Sequence, residues 1–372
     1  MPFELHNNLI VISAWLHDAH QLKFILNTGA RPTILLDKGF ADSVGMTYQR
    51  QVELFGVGSN PSVTALVSAG VSLSLRQVGN CNLSVLVLEE NLMELERRLG
   101  AKIDGIIGYD FFRRFVVKIN YQRRRIDPFE PHDYEPLSNF SSVDLEFVQS
   151  KPFLNMSIRQ SSSSTIMASL LVDTGASHAL ILNPASHHQL ASPEEFIVSN
   201  LARSISGELI GKLGRIDQMT LGSYDLQDVI ASYIEGSHAN ANQESEKNGS
   251  TGGELLRRFT VIIDYYHKKM YICANRSFPL PFEYNMSGLE FIASGENLSR
   301  FVINNIRDGS AADQVGFKAG DVLVVLNDIP AKKRSLSRIY SELSLKEGKQ
   351  VTLTAIRDGA YASRSFRLKK EI

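Results

Sequence analysis

The 372-residue sequence predicts a mainly β protein built from two homologous lobes and a smaller third domain. Three observations carry that prediction. Short runs rich in Val, Ile and Leu alternate with Gly, Ser and Asn turns, as in ALVSAGVSLSL (65–75) and GRIDQMTLGSYDLQDVIASYI (214–234), which is strand-and-turn patterning. The first three quarters of the chain resemble themselves at a spacing of 143–146 residues. After FPLPFEYN (278–285) the pattern changes and the repeat stops.

The repeat sets the order of the elements. FFRRFVVKINYQRRRI (111–126) returns as LLRRFTVIIDYYHKKMYI (255–272), placing Arg113-Arg114-Phe115 on Arg257-Arg258-Phe259. CNLSVLV (81–87) corresponds to YDLQDVI (224–230), and the leading strand LIVISAWL (9–16), at a spacing of 142, to KPFLNMSI (151–158). FILNTGA (24–30) corresponds to LLVDTGA (170–176). These collinear matches define lobes at 1–128 and 143–284, a duplicated domain rather than a repeat array. The stretch 129–142, rich in Pro, Ser and acidic residues, is expected to link them, and a third domain fills 285–372. ENLMELERRLG (90–100) predicts a helix with Leu92, Leu95 and Leu99 on one face and Gly100 as its stop. The polar tract 236–250 is expected to be a mobile loop, and the basic turns Arg123-Arg124-Arg125 and His267-Lys268-Lys269 to be exposed hairpins.

The paired loops carry the chemistry. A buried apolar strand ending in Asp-Thr-Gly holds a carboxylate at a fixed point, while glycine lets another backbone approach closely. The threonine hydroxyl can bond to the neighbouring lobe. Two such loops face to face place two carboxylates around one water. Like charges that close share a proton, so one takes a proton from water while the other protonates the carbonyl under attack.

Apolar-apolar-Asp-Thr-Gly-Ala, occurring twice in a duplicated β chain when Asn is allowed in the first copy, resembles the aspartic proteases. The nearest form is a retropepsin dimer fused into one chain, and the resemblance covers about 270 residues. It implies two retropepsin-like β lobes around a pseudo-twofold cleft that takes an extended polypeptide, with no metal or other cofactor. The catalytic pair would be Asp173 and position 27, where this chain has Asn27 instead. Thr28, Gly29, Ala30, Thr174, Gly175 and Ala176 would form the active-site loops. The family's apolar-apolar-Gly element is matched by Ile106-Ile107-Gly108 in lobe 1, whereas lobe 2 offers the more polar Ser250-Thr251-Gly252. By the same resemblance, the glycine-bearing stretches 54–66 and 204–214 are expected to be flaps over the cleft.

An amide keeps the shape of a carboxylate but cannot carry the shared proton. Little or no peptidase activity is therefore expected of the chain as it stands. Asn27 is open to three readings: a change introduced to trap substrate or prevent self-cleavage, a native loss of activity, or a site rebuilt from two copies of Asp173 on different chains. A non-catalytic peptide-binding or scaffold protein is the rival to the peptidase reading. Ala30 and Ala176 bring no hydroxyl to the pair, so a restored dyad should work at a less acidic pH.

In the third domain, Ser310-Ala311-Ala312 before an apolar turn, then Gly320-Asp321-Val322-Leu323 and Asn327, resemble a PDZ domain. The resemblance implies that Gly288, Leu289, Glu290 and Phe291 form a loop receiving protein C-termini, and that a peptide adds as a strand beside a helix at 336–343. Leu289, Phe291, Leu336 and Ile339 are expected to line its apolar pocket. Lys332-Lys333-Arg334 is expected to be a solvated loop.

A net charge of −1 offers no global field for nucleic acid, and no apolar run approaches the length of a membrane-spanning helix. Cys81 and Cys273 match no metal spacing and are expected to be buried free thiols rather than a disulfide. His178, His187 and His188 are expected on a surface helix rather than around a metal. The opening MPFELHNN shows no basic start followed by an apolar stretch, which leaves the compartment open, export after removal of a leader included.

Overall fold

The computed structural model describes residues 1–372 apart from 55–61, 76–77, 92–93, 161–164, 205–206 and 235–246. The chain begins with β1 (Glu4–His6), β2 (Leu9–Leu16), β3 (His20–Leu26), β4 (Thr33–Leu35), α1 (Lys38–Ser43) and β5 (Arg50–Leu54). It continues through β6 (Val63–Leu75), β7 (Gly79–Leu88), α2 (Leu95–Leu99) and β8 (Gly105–Ile107). These eight strands form one sheet in the order β1-β2-β3-β8-β4-β7-β6-β5. Then come α3 (Tyr109–Phe112), β9 (Val116–Asn120), β10 (Arg125–Phe129) and β11 (Ser141–Asp144).

A second set follows: β12 (Glu146–Val148), β13 (Lys151–Arg159), β14 (Ile166–Val172), β15 (Leu180–Leu182), β16 (Ile197–Ser204), β17 (Gly207–Leu221), β18 (Tyr224–Ile234) and β19 (Gly249–Thr251). Its order, β12-β13-β14-β19-β15-β18-β17-β16, repeats the first sheet strand for strand. After α4 (Gly253–Leu256) come β20 (Phe259–Asp264) and β21 (Lys269–Ala274).

The two copies of the repeated RRF segment meet in a five-stranded sheet, β10-β9-β20-β21-β11. In the antiparallel β9–β20 pair Lys118 lies opposite Ile262, its own counterpart in the repeat, while Val117 faces Ile263 and Ile119 faces Val261. A pseudo-twofold axis therefore passes between Lys118 and Ile262. Val116, Val117, Ile119, Val261, Ile262 and Ile263 are all buried, which explains why both copies of this strand carry so many apolar residues.

The third domain contains β22 (Leu289–Ser294), β23 (Arg300–Ile306), α5 (Ala311–Gln314), β24 (Val322–Leu326), β25 (Ile329–Pro330), α6 (Leu336–Leu343), β26 (Gln350–Arg357) and β27 (Ala360–Arg367). Its sheet runs β22-β23-β24-β26-β27, with β25 on β24. Ser310 and Ser335 cap α5 and α6 by accepting from the backbone N–H groups of Asp313 and Arg338. Asp321 is buried against Arg357, whose guanidinium donates to both carboxylate oxygens at 2.6 and 2.8 Å.

Several expectations are revised. By packing, the chain forms one compact unit of Met1–Met93, Ile103–Glu195 and Asn200–Pro281, and another of Glu94–Lys102, Phe196–Ser199 and Phe282–Ile372. The segment holding α2 thus packs with the third domain although its sequence lies inside lobe 1. The helix is Leu95–Leu99, ending at Gly100 in the left-handed region (φ 62°); Leu92 lies outside the described residues. The stretch 129–142 contains a 3-10 turn, Pro131–Asp133, and its last residues enter β11. Most of 236–250 lies outside the described residues, but Gly249 and Ser250 belong to β19. Arg334 is not solvated: its guanidinium pairs with Glu342 in a largely buried contact. Both cysteines are free, and both are partly exposed rather than buried. His178 sits in the turn before β15, and His187 and His188 stack with rings 4.7 Å apart beyond a 3-10 turn; none is on a helix. Among the described residues no helix is long and apolar enough to cross a membrane.

Candidate functional site

The loops at Asn27 and Asp173 are built the same way. Phe24, Ile25 and Leu26 end β3 in the core, as Leu170, Leu171 and Val172 end β14. Each strand then pairs in parallel with the short strand that follows later in its lobe, Leu26 opposite Ile107 and Val172 opposite Thr251. The backbone N–H groups of Asn27 and Asp173 donate to Ile107 O at 2.8 Å and Thr251 O at 2.9 Å. Each loop position is thereby tied to the core of its own lobe.

The threonines tie the two loops to each other. Thr28 and Thr174 are buried, and each backbone N–H donates to the other's Oγ1 at 3.0 Å. Thr28 Oγ1 donates to Val172 O at 2.5 Å, and Thr174 Oγ1 donates to Leu26 O at 2.8 Å. Four reciprocal bonds therefore cross the pseudo-twofold axis with every hydroxyl and amide in use.

Close approach of the loops explains the glycines. A Cβ on Gly29 would lie 2.9 Å from the Asp173 carboxyl carbon, and one on Gly175 would lie 2.1 Å from Asn27 Nδ2. The side chains at positions 27 and 173 thus each rest against the opposite loop's glycine, which leaves no room for another residue there. The side-chain oxygens also support their own loops. Asn27 Oδ1 accepts from Gly29 N at 2.6 Å and Ala30 N at 3.1 Å, and Asp173 Oδ1 accepts from Gly175 N at 2.9 Å.

The apolar-apolar-Gly elements brace the loops from below. Tyr109 N donates to Ala30 O at 3.0 Å, and Gly253 N donates to Ala176 O at 2.7 Å. Gly108 and Gly252 pass so close to Ala30 O and Ala176 O that a Cβ would collide. The polar form in lobe 2 fits because its hydroxyls are satisfied. Ser250 Oγ meets His178 Nε2 at 3.0 Å, and Thr251 Oγ1 donates to Ala179 O at 3.1 Å. Burial pushes the His178 imidazole down to about 4, against a weaker opposing effect of its bond to Ser250.

Tyr265 was not anticipated. Its ring stacks on Phe112 and meets Phe147 edge-on, and its hydroxyl donates to Thr28 O at 3.5 Å. Burial first, then the nearby Asp173 charge and Tyr109, hold this phenol well above its ordinary range. It is thus a neutral group beneath the paired loops. Its place one repeat after Tyr121 was the available signal.

The strands flanking the two expected flaps are β5 with β6, paired antiparallel, and β17 beside β16. The tips, 55–61 and 205–206, lie outside the described residues. No group of three or more metal-binding side chains occurs among the described residues. In the third domain Leu289, Phe291, Leu336 and Ile339 are all buried.

Residues 12–111 match the family model described as aspartyl protease, a span that includes Asn27 but not Asp173. Residues 285–367 match the model described as PDZ domain. No curated protein matches the chain. The chain therefore combines an aspartyl protease domain with a C-terminal PDZ domain.

Proposed function

We propose that lobes 1–128 and 143–284 form the cleft of an aspartic-type endopeptidase that lacks one catalytic carboxylate. An extended polypeptide lies across it, and Asp173 and position 27 face the scissile carbonyl. The observation that carries this reading is the reciprocal Thr28–Thr174 grip, which brings the two loops together within one chain. That grip also disfavours a site assembled from two copies of Asp173 on different chains. With Asp at 27, one carboxylate would take a proton from water as the other protonates the carbonyl oxygen, with no covalent intermediate. With Asn27 the pair has no proton to share, and cleavage is lost or much reduced.

A peptide-binding role without catalysis is the second reading. The observation favouring it is that Asn27 Oδ1 accepts both loop amides, so the loop is supported without a second carboxylate. One experiment separates the two. Cleavage of an unfolded protein is followed from about pH 3 to about pH 8 for the chain and for Asn27→Asp, with and without a statine-type inhibitor. The peptidase reading expects Asn27→Asp to gain roughly 10²–10⁴-fold in rate and to be stopped by the inhibitor. If neither form cuts, the binding role stands.

A further inference from the structure

β22 is the end strand of the third domain's sheet, and α6 packs beside it. This is the geometry in which an extended peptide adds as a further strand and its carboxylate is received by loop amides. Here the main-chain groups are already in use. Phe291 N donates to the Tyr340 hydroxyl at 2.8 Å, and Phe291 O accepts from the same hydroxyl at 3.2 Å. Leu289 N donates to Ser287 Oγ at 3.1 Å, and Leu289 O accepts from Asn285 Nδ2 at 2.6 Å.

Beyond Tyr340 the chain's own α2 lies against β22 and the start of α6. α2 packs against β22 with Leu95 and Leu99 buried. A Cβ on Gly100 would lie 3.0 Å from Leu336 Cβ at the start of α6 and 3.6 Å from Ala293 Cβ in β22. Arg98 is close enough for its charge to act on the Tyr340 phenol. α2 has only five residues and no side-chain cap at its start, so its order comes from this packing rather than from its own propensity.

We propose that Glu94–Lys102 is the resident ligand of the PDZ groove, and that a protein C-terminus enters only when α2 leaves and Tyr340 turns away. The proposal rests on the PDZ assignment and is independent of the chemistry at position 27. A cleavage assay leaves it untouched, and the test below leaves the peptidase reading untouched.

The test uses the full chain. Amide exchange across 289–293 is read by mass spectrometry. Binding is measured with fluorescein-labelled octapeptides ending in free Ala, Val, Leu, Ile or Phe, and with their amidated counterparts. Gly100→Val forces a branched side chain toward Leu336 from a left-handed backbone, and should speed exchange at 289–293 by roughly tenfold or more. Leu99→Asp should do the same by placing a carboxylate on the buried face of α2, and it serves if Gly100→Val does not fold. Unchanged exchange in β26 and β27 shows that the domain is intact. Peptides with a free carboxylate should then bind at least roughly tenfold tighter than to the native chain, and amidated ones should not. Unchanged exchange at 289–293 in both variants overturns α2 as the occupant. Equal peptide affinity of native and variant chains overturns the gate.

Discussion

Position 27 presents an amide where position 173 presents a carboxylate, in loops otherwise built alike. Ala30 and Ala176 add no hydroxyl to either side chain, so the side chains at those positions do nothing to lower a restored pair's pKa. On the proposed peptidase reading, the Asn27→Asp variant should therefore have its optimum above about pH 3.5, close to or above the ordinary carboxylate value; a pH–rate profile peaking lower removes the argument. Thr28→Ala deletes a donor to Val172 O and leaves Thr174 N, which is buried, without its acceptor. It should cost on the order of 2–4 kcal/mol, Thr174→Ala a similar amount, and Thr28→Ser much less. Urea unfolding midpoints of the three variants check this. The loop residues were legible because a buried strand, a carboxylate or amide, a hydroxyl and a glycine form a local pattern. Tyr265 and Tyr340 were not legible as site residues, because their roles depend on partners 237 and 49 residues away in sequence.

At the scale of elements, β19 shows why a departure from an apolar pattern need not disturb a fold. Ser250 and Thr251 are as buried as the Ile106 and Ile107 they replace, and each hydroxyl has a partner. The cost is a histidine held neutral. His178 has a folded value of about 4 against an ordinary 6.5, so between these the unfolded chain binds more protons than the folded one. Stability from this group is complete above about pH 6.5, falls as the pH drops toward 4, and levels off below. Comparing urea midpoints near pH 7 and near pH 4.5 should show a shallower decline for His178→Gln than for the native chain. Equal declines would mean that His178 is not the group responsible. The helix at α2 was readable from its apolar spacing and terminal glycine, but not its destination. Leu95 and Leu99 mark an apolar face without saying which surface covers it.

Across the whole molecule, the duplication seen at 143–146 residues becomes a symmetry relation in space, with Lys118 opposite Ile262 in the central sheet. Because β9 pairs with β20, each lobe alone would expose an apolar, unpaired strand edge. Residues 1–128 expressed alone should therefore aggregate, whereas co-expression with 143–284 should give a soluble complex that elutes as one species on size exclusion. A soluble, monomeric 1–128 would show that the sheet is not needed to hold a lobe together. Local periodicity and repetition were enough to predict the β class, the duplicated lobes and the paired loops, and a motif resemblance was enough to point to the PDZ domain, because each is written in neighbouring residues or in recurring segments. Cross-lobe bonding by the threonines was expected from the loop pattern, but folding alone decided which atoms Thr28 and Thr174 bond, that Tyr265 lies beneath the loops, and that α2 covers β22. Those are contacts between residues far apart in the chain, made by shape and by the need to satisfy buried polar groups, and no local pattern encodes them.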